Sequence, residues 1–127
     1  MICSGSSPLA IYDMVGQDAI PQGADWDVSL IYKENNTAVD FSTYSAKMQV
    51  RRDYDQEIIL ELSSGAGTIQ LGSGAGNTPN VVLKFTSSAT SAMVDYSGIW
   101  DLEVISPTGQ VLKFVHGKFE LEREVTK

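Results

Sequence analysis

Residues 26–33, Trp26-Asp27-Val28-Ser29-Leu30-Ile31-Tyr32-Lys33, repeat with a period of two. Trp26, Val28, Leu30 and Tyr32 fall on one side of an extended chain, and Asp27, Ser29, Ile31 and Lys33 on the other. Alternation of this kind marks a half-buried β-strand. The same period recurs along the chain after this stretch. Tyr44, Ala46, Met48 and Val50 alternate with Ser45, Lys47, Gln49 and Arg51. Leu60 and Leu62 flank Glu61 after Ile58-Ile59. Val81, Leu83 and Phe85 alternate with Val82, Lys84 and Thr86, and Trp100, Leu102 and Val104 with Asp101, Glu103 and Ile105. A last long segment runs from Val111 to Leu121 and contains Gly117, where a bulge or a close backbone approach is expected.

Turn signals separate these runs. Asn35-Asn36-Thr37 closes the Trp26 strand, and Ser106-Pro107-Thr108-Gly109 joins two strands as a hairpin turn. The Gly/Ser-rich stretch Ser63 to Pro79 holds a short island, Thr68-Ile69-Gln70-Leu71, that reads as an edge strand or hairpin arm. Only Ser87 to Val94 suits a helical turn, with Ser87 or Ser88 as the N-cap. About seven short strands at regular spacing predict an all-β sandwich, and no linker divides it.

The length of 127 residues suits one domain with a real core. Hydrophobic residues at 43% and charged residues at 20% describe a globular chain, not a disordered tail. Nine basic against sixteen acidic side chains give a formal charge of −7. That balance argues against general binding to nucleic acid, since no basic surplus exists to release counterions. It equally disfavours an anionic membrane surface. No run approaches the roughly 18 apolar residues of a membrane span, and no signal peptide is visible, so a protein made in the cytoplasm is expected.

Chemistry-bearing motifs are sparse. Cys3 is the single cysteine and His116 the single histidine, which leaves no internal disulfide and no usual zinc or His-rich metal set. Asp53, Asp55 and Glu57 alternate after Arg51-Arg52, a spacing a calcium loop could use. The glycine and distal glutamate of an EF-hand are missing, so a solvated hairpin tip is expected and no metal or cofactor. His116 has no accompanying nucleophile, and no pair of carboxylates is singled out as an acid/base hydrolase would need. The chain is therefore not expected to be an enzyme. Neither glycine-rich stretch opens onto a helix or precedes Lys-Ser/Thr, so flexible turns explain both. Trp26, Trp100, Tyr12, Tyr32, Tyr44, Tyr54 and Tyr96 could build a sugar platform, the basis of an alternative reading as a carbohydrate- or host-receptor-binding module. Both tryptophans lie in phase with core positions, and core packing is expected for both.

Two ordered stretches carry a resemblance. Gln22-Gly23-Ala24-Asp25-Trp26-Asp27-Val28 followed by Asp40-Phe41-Ser42-Thr43-Tyr44-Ser45-Ala46-Lys47-Met48-Gln49-Val50-Arg51 resembles the opening of small phage virion proteins. Ile58-Ile59-Leu60-Glu61-Leu62, Val82-Leu83 and Ser97-Gly98-Ile99-Trp100-Asp101-Leu102-Glu103-Val104, through Gly109 and Gly117 to Glu124-Val125-Thr126, are similar to their second half. Ile99-Trp100 stands where tyrosines are common in those proteins. The likeness is to the immunoglobulin-like N-terminal domain of phage baseplate upper proteins. It implies an immunoglobulin-like sandwich of about seven to nine strands with one short helical turn over residues 21–127. It also implies a structural role in the virion tail, baseplate or neck, in several copies, against other phage proteins and as a homo-oligomer. Residues 1–20 lie outside the likeness and read as an N-terminal arm that can add a strand to a sheet. Leu9, Ile11 and Tyr12 on that arm, with the basic pair Arg51 and Arg52, are the expected assembly contacts. A host glycan is the partner the alternative reading requires.

Overall fold

The computed structural model describes residues 2–4, 10–94 and 96–123. Its strands are β1 (Ile2–Ser4), β2 (Ala10–Ile11), β3 (Ile20–Pro21), β4 (Trp26–Glu34), β5 (Thr37–Ala38) and β6 (Ser45–Arg51). After these come β7 (Ile58–Ser63), β8 (Ile69–Leu71), β9 (Val81–Phe85), β10 (Ser97–Ile105) and β11 (Val111–Glu122), with one helical turn, α1 (Ser87–Ser91), between β9 and β10. The strands read from periodicity are β4, β6, β7, β8, β9, β10 and β11. The other four are pieces of two or three residues.

Two sheets result. One has the order β1-β4-β9-β8, with β5 on β4; the other has β2-β11-β10-β6-β7, with β3 also on β11. The fold is an all-β sandwich with the immunoglobulin-like division of strands: β4, β9 and β8 in one sheet face β6, β10 and β11 in the other. Inward residues of both sheets meet in one core. Val28, Leu30, Tyr32, Val81, Leu83 and Phe85 from the first pack on Met48, Val50, Leu60, Leu62, Trp100, Leu102, Val104, Val115 and Phe119 from the second. Phe85 and Phe119 span the gap, with ring centroids 6.2 Å apart. Each such side chain contributes roughly 1.5–3 kcal/mol by leaving water.

Several local expectations shift by small amounts for clear reasons. Trp26 is 46% exposed although its phase is right. It is the first residue of β4, at the end of the sandwich, and alternation fixes the side of a sheet but not the depth. Trp100, four residues into β10, is buried as expected. The helical turn is capped by Thr86, whose side chain accepts from the Ala89 N–H, rather than by Ser87 or Ser88. The irregularity in β11 lies where Leu102 faces Val115 but Glu103 faces Lys113. This extra residue turns Lys113 outward and Val115 inward, so the strand alternates correctly on both sides of the bulge. Gly117 is instead a point of close approach.

The island 69–71 is an edge strand, as its turns suggest. Asn35 and Asn36 both take positive φ, at 50° and 62°, the geometry of a tight two-residue hairpin joining β4 to β5.

Candidate functional site

Register builds one surface that no linear stretch contains. On the outer face of the β2-β11-β10-β6-β7 sheet, side chains line up in rows across the strands. One row runs Glu61, Gln49, Asp101, His116, Ile11. The next runs Ser63, Lys47, Glu103, Lys113, and a third Arg51, Ile99, Lys118. Opposite charges stand beside one another in these rows. Lys113 Nζ lies 3.8 Å from Glu103 and 3.9 Å from Asp101. Gln49 is held at both ends of its amide: Nε2 donates to Glu61 at 2.7 Å, and Oε1 accepts from Arg51 at 3.1 Å. Arg51 also donates to the Gln56 carbonyl, tying the end of β6 to the β6–β7 turn.

That turn stands beside the sheet and makes the surface concave. Tyr54 (73% exposed) and Asp55 close one side of an open groove of about 780 Å³. Across it lie Lys47, Gln49 and Arg51 of β6, Ile99, Asp101 and Glu103 of β10, and Lys113 and His116 of β11. Three cations (Lys47, Arg51, Lys113) and three carboxylates (Asp55, Asp101, Glu103) line it, so its charges cancel with His116 neutral.

The N-terminal segment borders this face. Residues 10–21 run along the chain's own β11, parallel to it, interrupted by a 3-10 turn at Gly16–Asp18. Tyr12 and Met14 donate their N–H groups to the carbonyls of His116 and Lys118. The Asp13 carboxylate accepts the Lys118 N–H at 2.9 Å. Trp100 locks the segment from beneath: its indole N–H donates to the Tyr12 carbonyl at 2.9 Å, and the two rings meet edge to face at 6.3 Å. Burial, with the Asp18 charge, raises the Tyr12 hydroxyl above its ordinary value. Its stabilising share is therefore complete below about pH 10 and is lost as pH rises through the higher folded value. The urea midpoint should fall less between pH 9 and pH 11 in Tyr12→Phe than in the parent; equal falls would show that this hydroxyl plays no part.

No protein-family model matches the chain, and no curated protein matches it in sequence. Among solved structures it is similar to the N-terminal domain of phage TP901-1 ORF48, with a TM-score of 0.52 and 13% identity, over 96% of this chain and 95% of that one. The chain shares that domain's fold. Coverage of 96% carries the likeness into the first twenty residues, beyond the reach of the sequence resemblance.

The residues singled out from sequence fall on two sides of this face. Ile11, 66% exposed, ends the row through His116 and Asp101 at the β2 edge. Tyr12 points the other way, onto Trp100, and is half-buried. Leu9 lies outside the described residues, as do Val125 and Thr126. Arg51 faces the groove, and Arg52 is exposed where β6 gives way to the turn. Asp53, Asp55 and Glu57 are all exposed in that turn. Among the described residues no three His, Cys, Asp or Glu side chains converge as a metal site, and no helix is long and apolar enough to cross a membrane.

Sequence reasoning missed Asn80, a fully buried polar residue. It also missed Ile99, which stands half-exposed between Arg51 and Lys118. Asn80 follows Pro79 directly before a strand, where its turn chemistry hides a core role. Ile99 has the polar phase of its strand, and only register shows what lies beside it.

Proposed function

We propose that the chain is a bacteriophage virion structural protein of the tail, baseplate or neck. It acts by protein–protein contact in several copies, with no catalytic step, and resides in the assembled particle. The observation that carries this reading is the end-to-end sharing of one sandwich with the N-terminal domain of phage TP901-1 ORF48. The ordered resemblance of residues 22–51 and 58–126 to phage virion proteins supports it from the sequence alone.

The charge distribution suggests how copies or neighbours meet. The chain carries nine basic residues. Five of them (Lys47, Arg51, Arg52, Lys113, Lys118) lie on the outer face of β6, β10 and β11 or at the β6–β7 turn. An acidic face of another subunit brought against the Arg51–Arg52 end gains attraction from both guanidinium groups, offset in part by Asp53, Asp55 and Glu57 in the adjoining turn. Purified particles should contain the chain by mass spectrometry; absence from intact particles overturns the reading. The finer contact is checked by Arg51→Glu combined with Arg52→Glu. Incorporation should fall roughly tenfold, while the isolated domain stays folded and loses about 2–3 kcal/mol with the Arg51 bonds to Gln49 and the Gln56 carbonyl. Undiminished incorporation of the double variant excludes this end as the contact.

A further inference from the structure

We propose that the groove between the Tyr54 turn and the outer face of β6, β10 and β11 binds a neutral saccharide. The proposal does not rest on the virion reading. An open volume of about 780 Å³ falls in the range of small-ligand sites. Its charge narrows the ligand class. In a chain of net −7 the lining carries equal numbers of cations and carboxylates. An anionic ligand meets Asp101 and Glu103 at the centre of the face, and a cationic ligand meets Lys47 and Lys113 on either side of them. A ligand of no net charge meets neither penalty.

The same alternation suits hydroxyl groups. Each hydroxyl both donates and accepts, and the Lys47–Glu103–Lys113 row offers donor, acceptor and donor side by side. Gln49, pinned by Glu61 and Arg51, keeps one N–H and one lone pair for a ligand. Because its amide is already fixed, little side-chain freedom remains to be lost on binding. The apolar C–H face of a pyranose ring has two surfaces to cover, the exposed ring of Tyr54 and the half-exposed side chain of Ile99.

The test uses the isolated full chain, isotopically labelled and titrated by NMR. Chitotriose, cellotriose and maltotriose serve as neutral probes, with sialyllactose and a heparin disaccharide as anionic ones. At least one neutral trisaccharide should saturate with Kd on the order of 1 mM, shifting amides of residues 47–51 and 99–103. Tyr54→Ala and Gln49→Ala should each weaken it at least tenfold, and Trp26→Ala, an exposed aromatic at the sandwich end, should leave it unchanged. Three results overturn the proposal: no neutral probe saturating below about 10 mM, preference for the anionic probes, or binding indifferent to Tyr54→Ala. Concentration-dependent dimerisation abolished by Tyr54→Ala, without saccharide binding, would also overturn it and assign the groove to a second copy.

Discussion

Gly117→Ala should lower stability by about 3 kcal/mol and detach residues 10–14 from β11. A Cβ at this position would stand 2.1 Å from the Tyr12 carbonyl oxygen, 2.6 Å from its carbon and 2.9 Å from Asp13 Oδ1. Two of these three atoms are backbone, so no side-chain rotation relieves the clash. The strand segment itself must move. Moving it withdraws the acceptor from the buried Trp100 indole, which costs roughly 1–3 kcal/mol for an orphaned N–H. Overpacking strain adds roughly another 1–3 kcal/mol. Full detachment also exposes Met14, now fully buried, so partial displacement competes with it only while Met14 stays seated. For a domain of this size the melting temperature should fall by about 10 °C. Hydrogen exchange should speed selectively at Tyr12, Met14 and Glu120, whose N–H groups bond across this seam. Gly65→Ala, where a Cβ meets nothing within 4 Å, is the control and should change stability by under about 0.5 kcal/mol. Equal effects at the two glycines would show that the seam carries no strain.

The strands that alternate cleanly were legible because each has one wet and one dry face. Val28, Leu30 and Tyr32, or Leu102 and Val104, could point inward in only one register. The segment 10–21 was harder to read. Its pairings are two residues long, and its partner, β11, lies a hundred positions away, so no local period announces it. The bulge opposite Glu103 is invisible for a related reason. One inserted residue resets the alternation of β11, and its sequence looks regular on either side.

The candidate site was legible only in fragments. Arg51, Tyr54 and Asp55 are adjacent in the chain and could be noticed together. Asp101, Glu103, Lys113 and Ile99 reach them through pairing of β10 with β6 and β11, and no spacing within the chain encodes that register. Exposed charges on separate strands therefore read as scattered solubility. Assembled, they form one balanced surface.

Asn80→Leu should cost about 3 kcal/mol or more, although it adds apolar volume to a core position. Asn80 sits immediately before β9, at the point where β4 loses its neighbour. Its own N–H donates to the Leu30 carbonyl, the last backbone bond of that pairing. Beyond it the side chain takes over: Oδ1 accepts the Tyr32 N–H at 2.8 Å, and Nδ2 donates to the Tyr32 carbonyl at 2.9 Å. Nδ2 also reaches the Val39 carbonyl at 2.8 Å, fastening the chain after β5 to the same place. Leucine fills similar space and withdraws all three bonds in a site closed to water. Hydrophobic gain of a methylene or two, about 0.8 kcal/mol each, cannot offset that loss. Asn80→Asp separates hydrogen bonding from shape. It keeps the acceptor for Tyr32 but turns an oxygen toward two carbonyls, an arrangement tolerable only when that oxygen carries a proton. Its folded form therefore binds the proton more tightly than its unfolded form. The variant should be most stable below the ordinary aspartate range and lose stability as pH rises toward 7. Thermal melts at pH 4 and pH 7 check this directly. A variant as stable at pH 7 as at pH 4, relative to the parent, would mean that the Nδ2 bonds contribute nothing and that Asn80 is held there by size alone.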